Sequence, residues 1–259
     1  MRTITLKNGK EIELNQAFNM DCLEFMPLLP DKSIDLILCD LPFGTTACKW
    51  DVIIPFDKLW EQYKRIIKDN GAIVLNGAEP FSSMLRLSNL KWYKYDWKWK
   101  KSQATGFLNS WKQPLRDYED VCVFSNKQPK YYPKITDKPK ENIRPATKRT
   151  KLSDCYGESD LNIHKLPADK SMPKSILEFN NEQRNIHPTQ KPVKLSEYFI
   201  ETYTDELDLV LDNCAGSFTT PIAAYNTRRN WLACEMDKQI FTDGYHRYEQ
   251  ETKQMLMEF

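Results

Sequence analysis

The 259-residue sequence is poor in glycine, with eight, and in histidine, with three, and these scarcities exclude several functions. No two glycines stand one residue apart, so no G-x-G-x-x-G follows a strand, and there is no P-loop; a NAD-dependent dehydrogenase and a phosphate-loop ATPase are both ruled out. The seven cysteines (Cys22, Cys39, Cys48, Cys122, Cys155, Cys214, Cys234) are odd in number, scattered, and form no C-x-x-C pair. With so few histidines beside them, neither a disulfide framework nor a metal site is expected. No cysteine follows a proline, which removes the Pro-Cys nucleophile needed to methylate carbon 5 of cytosine. Long apolar runs are missing too: nothing approaches the roughly 18 consecutive apolar residues of a spanning helix. The N-terminal Met1-Arg2-Thr3-Ile4 enters alternating sequence instead of a signal peptide's apolar block, so a cytoplasmic chain with no membrane partner is expected.

What is present is charge, unevenly placed. The net charge is +1, yet from Arg86 to Lys151 there are 17 Lys and Arg against 6 Asp and Glu, a local excess of +11. Trp92, Tyr93, Tyr95, Trp97, Trp99, Phe107, Trp111, Tyr118, Tyr131 and Tyr132 are interleaved with this basic block. Cations for phosphate and flat rings for bases are the two ingredients of nucleic-acid binding; a solvated basic face over core aromatics has the same composition.

Along the chain, Thr3 to Leu6, Asn8-Gly9 and Glu11 to Leu14 read as a hairpin. Ile34 to Cys39 is an almost continuous apolar run, the pattern of a strand covered on both faces. Helix patterns at Phe56 to Ile67 and Phe81 to Leu90 alternate with strand patterns at Ala72 to Leu75, Tyr93 to Trp99 and Tyr118 to Phe124. Apolar periodicity fades over residues 125–185. It resumes with a helix at Val193 to Tyr203, a strand at Leu209 to Leu211, a helix at Thr219 to Tyr225, a strand at Trp231 to Cys234 and a helix from Lys238. The expected fold is α/β, a doubly wound and mostly parallel sheet, with residues 1–124 and 186–259 as two halves of one catalytic domain and 125–185 as an insert.

Three segments carry chemistry. Asp40-Leu41-Pro42-Phe43 follows directly on the buried strand, where an open α/β sheet places its ligands. An exocyclic base amine is a poor nucleophile, because its lone pair is delocalised into the ring. Acceptors that hold both N–H bonds activate it, and the Asp40 carboxylate and the Leu41 carbonyl can serve. Pro42 stiffens the turn and Phe43 offers a ring to stack on an extruded base. The same four residues also suit a plain strand-ending turn. Second, Asp212-Asn213-Cys214-Ala215-Gly216-Ser217-Phe218-Thr219-Thr220 reads as strand, small-residue turn and helix start, which admits a ligand close to the backbone. Some 20 residues on, Glu235, followed by Met236, ends the next strand, the position that binds ribose hydroxyls in nucleotide folds. Third, His187-Pro188-Thr189-Gln190-Lys191-Pro192 opens a helix, and is open to reading as an ordinary cap made by Thr189.

Together these segments resemble the β class of DNA amino-methyltransferases, the Asp-Pro-Pro-Tyr family that modifies N6 of adenine or N4 of cytosine. The order matches as well: catalytic motif, insert, helix-opening motif, cofactor loop. The resemblance implies a Rossmann-like S-adenosylmethionine-dependent fold in which residues 125–185 recognise the target. It assigns catalysis to Asp40, Leu41, Pro42 and Phe43. It assigns S-adenosyl-L-methionine to Asp21, Cys22, Thr189, Gln190, Lys191, Asp212, Asn213, Ala215, Gly216, Ser217, Thr219, Glu235 and Met236. Asp21 would meet the cofactor's adenine amino group, although an Asp there also suits a helix N-cap. Lys100, Lys101, Asn109 and Arg116 lie where the family turns from sheet to DNA-facing loops, as do Trp99 and Glu119.

The resemblance further implies double-stranded DNA as partner, with a homodimer and a restriction endonuclease as additional partners found in the family, in a bacterial or phage setting. A leading Asp favours adenine; N4-cytosine methylation is the alternative. The cofactor loop departs from the family pattern Asp-Pro-Phe-x-Gly-Ser-Gly-Thr-Thr at Asn213, Cys214 and Phe218. Because a bulky residue takes positive φ only at a cost, Phe218 is expected to narrow the pocket, which keeps a non-catalytic DNA-binding relative in view. Methylation of RNA or of a protein glutamine, where relatives generally lead with Asn, fits the basic aromatic block less well.

Overall fold

A computed structural model describes residues 2–46, 48, 50–143, 166–182 and 190–257. The opening hairpin folds as read: β1 (Thr3–Thr5) and β2 (Glu11–Glu13) pair antiparallel, with Gly9 at φ +82° in the turn. A strand not foreseen, β3 (Gln16–Asn19), comes next, and Asp21 caps the short helix α1 (Cys22–Phe25). Then β4 (Ile34–Cys39), α2 (Phe56–Ile66), β5 (Ile67–Gly77), α3 (Phe81–Ser88), β6 (Tyr93–Thr105) and β7 (Arg116–Phe124) follow in turn. Two short strands, β8 (Thr136–Asp137) and β9 (Lys170–Ser171), pair only with each other. The chain continues through β10 (Ile176–Phe179), α4 (Val193–Tyr203), β11 (Leu209–Asp212), α5 (Thr219–Asn226), β12 (Asn230–Glu235) and α6 (Lys238–Met257).

Eight strands form one sheet in the order β10-β6-β7-β5-β4-β11-β12-β3. Only β7 runs against its neighbours; every other pairing is parallel. Both faces are covered, as the apolar run of β4 requires, and all six of its residues are buried. One face packs Ile37, Cys39, Ile73 and Leu75 against α1, α2 and α3. The other packs Leu36, Leu38, Ala72 and Val74 against α4 and α5, with Phe241 and Tyr248 of α6. This is the doubly wound architecture that the alternating pattern predicts.

Two compact units are present, residues Pro133–Lys174 and the remainder. The separate unit is narrower than the expected insert of 125–185. Residues 125–132 belong to the larger unit, and so does β10, which hydrogen-bonds parallel to β6 at the sheet edge. A four-residue edge strand with only Leu177 buried has too short a pattern to be read from sequence. The basic aromatic block also divides. Trp92, Trp97 and Trp99 are core, while Phe107 and Trp111 stand exposed between β6 and β7. Several of its cations are locally neutralised: Arg86 pairs with Glu79 and Asp120, and Lys98 with Asp96 and Asp120.

Candidate active site

Strand alternation builds the site. On the face covered by α4 and α5, β4 presents Leu36 and Leu38, β5 presents Ala72 and Val74, β7 presents Val123 and Val121, and β6 presents Trp97 and Trp99. Two residues further toward the carboxyl edge, or back along the reversed β7, the same face meets Asp40, Asn76, Glu119 and Lys101, and β11 brings Asp212 after Val210. Apolar rows thus end in one polar row across five adjacent strands. This row lines a cavity of about 950 Å³, toward the upper end of the roughly 300–1,000 Å³ of small-molecule sites.

Lys191, just before α4, reaches across the row. Its Nζ lies 2.7 Å from Asp40 Oδ2 and 3.2 Å from Glu119 Oε2, and Lys101 Nζ lies 2.5 Å from Glu119 Oε1. The side chains of Lys191 and Lys101 are only 7% and 8% exposed. Burial disfavours charge on Lys191, but Asp40 and Glu119 more than offset it and hold the ammonium above the ordinary lysine range. Burial likewise pushes at Glu119, where Lys191 and Lys101 win and keep the carboxyl low. For Asp40 the balance reverses: burial outweighs Lys191 and the pKa is raised. Asp40 Oδ1 is buried and accepts no hydrogen bond.

The loop after Asp40 is held by a residue that the motif does not contain. Asp51 is buried, and its carboxylate accepts from the backbone N–H groups of Gly44, Thr45 and Thr46 at 2.8, 2.9 and 2.7 Å. Gly44 sits at φ +67°, where a side chain would also strike Ile53. The Phe43 ring stacks on Phe81, centroids 5.0 Å apart, with Lys191 Nζ 5.7 Å from it on the aromatic face.

At the other end of the cavity stand Ala215, Gly216 and Ser217, with carboxylates from Asp21, Asp212 and Glu235. Glu235 accepts from Gly216 N at 3.0 Å through Oε2 and from Asp237 N at 2.9 Å through Oε1. Asp21 accepts from Leu23 N at 2.8 Å, so it is the N-cap of α1 while lining the same cavity. Burial pushes Asp212 up to about 7. Asn213, in place of the family's Pro, is buried and accepts from Tyr63 Oη at 2.6 Å, tying the loop to α2. Arg247 of α6 donates to Ser217 O at 2.9 Å and Thr219 Oγ1 at 3.1 Å.

Phe218 corrects an expectation. It does take the left-handed conformation, φ +61°, but its ring is fully buried, set edge-on to Phe241 and Tyr245, and does not line the cavity. Burial of a whole phenyl ring, about 1.5–3 kcal/mol, offsets a backbone cost of about 1–2 kcal/mol. Gly244 makes the room: a Cβ there would lie 2.4 Å from the Phe218 ring.

Of the residues singled out from sequence, Asp21, Cys22, Asp40, Leu41, Pro42, Phe43, Gln190, Lys191, Asp212, Asn213, Ala215, Gly216, Ser217, Thr219, Glu235 and Met236 all line this one cavity. Thr189, with His187 and Pro188, lies outside the described residues. Lys101, expected among the DNA-facing residues, has its ammonium buried against Glu119. Lys100 is exposed and pairs with Glu178, Asn109 is exposed between β6 and β7, and Arg116 lines the cavity while donating to Glu79 O at 2.9 Å. Asn76, Asp51 and Arg247 were not singled out. Each is a common residue type outside any motif, and only strand neighbours or loop closure bring it to the site. Among the described residues no cluster could hold a metal ion, and no helix is long and apolar enough to cross a membrane.

A doubly wound sheet with an acidic acceptor and a small-residue loop at its carboxyl edge defines a Rossmann-like, S-adenosylmethionine-dependent methyltransferase. Residues 34–245 match the DNA methylase family N6_N4_Mtase, so the chain belongs to that family. It is 26% identical over 272 residues to the type II methyltransferase M2.MboI of Moraxella bovis, covering 92% of this chain and 89% of that one. It is 25% identical over 254 residues to the DNA adenine methyltransferase YhdJ of Escherichia coli K12, covering 91% and 83%. Among solved structures it resembles the PvuII DNA methyltransferase, described as cytosine-N4-specific, with a TM-score of 0.64 at 19% identity over 92% of this chain and 90% of that one. S-adenosylmethionine fits the site: the small residues Ala215, Gly216 and Ser217 leave room for a ligand, and the carboxylates lining the cavity supply the acceptors and negative charge that a cationic nucleoside needs.

Proposed function

We propose that this DNA methylase transfers a methyl group to the N6 amine of an adenine rotated out of duplex DNA. One observation carries the reading. Asp40 has one oxygen committed to Lys191 at 2.7 Å and the other buried without a donor, at the carboxyl end of the central strand beside the cofactor loop. A carboxylate so placed is an acceptor waiting for an N–H. Asp40 Oδ1 takes one amine hydrogen and the Leu41 carbonyl a second, while Phe43 stacks on the base. When bound, S-adenosylmethionine supplies an electrophilic sulfonium methyl. That methyl would pass to the nitrogen with the carbon–sulfur electron pair left on sulfur, and the nitrogen would give up one of the two protons that Asp40 Oδ1 and the Leu41 carbonyl hold, to the Asp40 carboxylate or to water. Most of the acceleration comes from positioning and from the acceptors, with no covalent intermediate. Lys100, Asn109, Arg116 and the segment 125–185 are assigned to the DNA.

The leading Asp and the similarity to a DNA adenine methyltransferase support adenine; the similarity to a cytosine-N4-specific structure supports N4-cytosine as the second reading. Incubation with tritiated S-adenosylmethionine and unmethylated bacterial DNA, followed by digestion to nucleosides, tests both. Label is expected in N6-methyldeoxyadenosine and absent with Asp40→Ala. Label in N4-methyldeoxycytidine selects the second reading. DNA binding without label would make the protein a binder that has lost catalysis. A homodimer and an endonuclease partner remain proposals from the family, tested by sedimentation and by co-purification.

A further inference from the structure

We propose that Asn76 reads the target base: its side-chain amide pairs with the ring nitrogen beside the amine that Asp40 accepts, so the site admits only bases carrying an amine next to an unprotonated ring nitrogen. This rests on the amino-methyltransferase reading above and adds to it the residue that recognises the ring.

Asn76 is 7% exposed, and its Oδ1 is buried with no hydrogen-bond partner. It lines the same cavity as Asp40. Strands β4 and β5 pair in parallel up to Cys39 and Leu75, so Asp40 and Asn76 are the next residues along adjacent strands, separated by about the 4.8 Å strand spacing, on the same face of the sheet. The cations in this row are already engaged with carboxylates: Lys191 bonds Asp40 Oδ2 and forms an ion pair with Glu119 Oε2, and Lys101 pairs with Glu119 Oε1. A buried amide oxygen without a donor is rare in a folded protein and marks a place where a ligand completes the hydrogen bonding.

Two neighbouring acceptors, Asp40 Oδ1 and Asn76 Oδ1, both lack a donor. One exocyclic amine has two N–H bonds. One goes to Asp40 Oδ1 and the other is shared, as a three-centre bond, between the Leu41 carbonyl and Asn76 Oδ1; Asn76 Nδ2 then lies beside the adjacent ring atom, the bidentate pairing of a side-chain amide with an amine and a neighbouring ring nitrogen. Adenine and cytosine both present that pair. At the ring position where adenine and cytosine carry this amine, guanine and thymine present a carbonyl beside a ring N–H, which reverses the pattern and sets an oxygen against the Asp40 carboxylate.

The modified position is first located by sequencing DNA from cells expressing the protein. Synthetic duplexes then carry either the natural base there or its deaza analogue, with C–H replacing the ring nitrogen next to the amine. For the unaltered protein the deaza base is expected to lower kcat/KM about tenfold to a hundredfold. Asn76→Ala, and Asn76→Leu, which keeps the volume without a donor, should show a similar loss on the natural base and less than about threefold further loss on the deaza base. S-adenosylmethionine binding by each variant reports that it is folded, and either variant suffices. A deaza penalty undiminished in a folded variant would overturn the role of Asn76 and leave the methyltransferase reading intact. Failure of the unaltered protein to methylate any duplex would instead remove that reading, and this proposal with it.

Discussion

Lys191→Met removes the cation that lies between two buried carboxylates, and the structure gives the size and the pH dependence of the result. Glu119 keeps Lys101 at 2.5 Å, so Asp40 is the group left uncompensated. Breaking a buried ion pair from one side costs about 3–5 kcal/mol. Because the Asp40 side chain retains 27% exposure, the lower end, about 3 kcal/mol, is expected. Burial already raises the Asp40 pKa and Lys191 opposes the rise, so the variant's folded-state pKa climbs further. A carboxyl whose folded pKa lies above its unfolded value binds protons more readily when folded, and stability falls as pH rises from the unfolded toward the folded value. The deficit should therefore grow as Asp40 ionises, and be smaller in an acidic buffer of about pH 5 than in an alkaline one of about pH 8.5. For a chain of this size about 3 kcal/mol corresponds to about 6–12 °C in Tm. Thermal unfolding of both proteins across that range measures it, and the acidic limb of methyl transfer should move to higher pH in the variant. An equal Tm deficit at both pH values, with the acidic limb unmoved, would refute the electrostatic account.

Asp212, at about 7, is half-protonated near neutrality; a bound sulfonium favours its ionised form, so calorimetric Kd for S-adenosylmethionine should fall by up to about tenfold between pH 6 and pH 8. A flat profile would place the cationic centre elsewhere. Gly244→Ala sets a Cβ 2.4 Å from both Gly216 O and the Phe218 ring, and overpacking of this kind costs about 1–3 kcal/mol. Because Gly216 belongs to the cofactor loop, Tm and cofactor affinity should drop together; a variant that melts and binds normally would show that α6 does not brace the loop. Trp111 is 99% exposed, so Trp111→Ala should leave the unfolding free energy within about 0.5 kcal/mol of the parent while weakening DNA binding in a gel-shift titration. Unchanged affinity would remove the tip between β6 and β7 from the DNA interface.

The legible part of the site was the part carried by contiguous residues. Asp40 to Phe43, Asp212 to Thr219 and Glu235-Met236 each end a buried strand, and a run of apolar residues followed by a small or acidic turn shows in sequence where the carboxyl edge of the sheet lies. Helix α4 was read to its exact ends, because eleven residues of apolar periodicity leave little freedom. The short strands β3 and β10 were missed, since four residues with partial burial carry no period to detect. Phe218 was read correctly as costly in backbone and wrongly as an obstruction, because the void opposite Gly244 exists only once α6 packs on α5.

By itself, then, the sequence determined the doubly wound class, the order of the motifs and the segments that line the cavity, all consequences of local pattern and chain order. Tertiary structure alone decided which side chains share the polar row. Lys101, Glu119, Asn76, Asp40 and Asp212 come from five strands whose spatial order, β6-β7-β5-β4-β11, differs from their order in the chain. Pairing register sets which residues lie side by side, and burial sets which charges must find partners. Lys101, placed from sequence among the DNA-facing residues, is therefore the counterion of Glu119, and Asn76, which belongs to no motif, follows β5 onto the same face as Asp40.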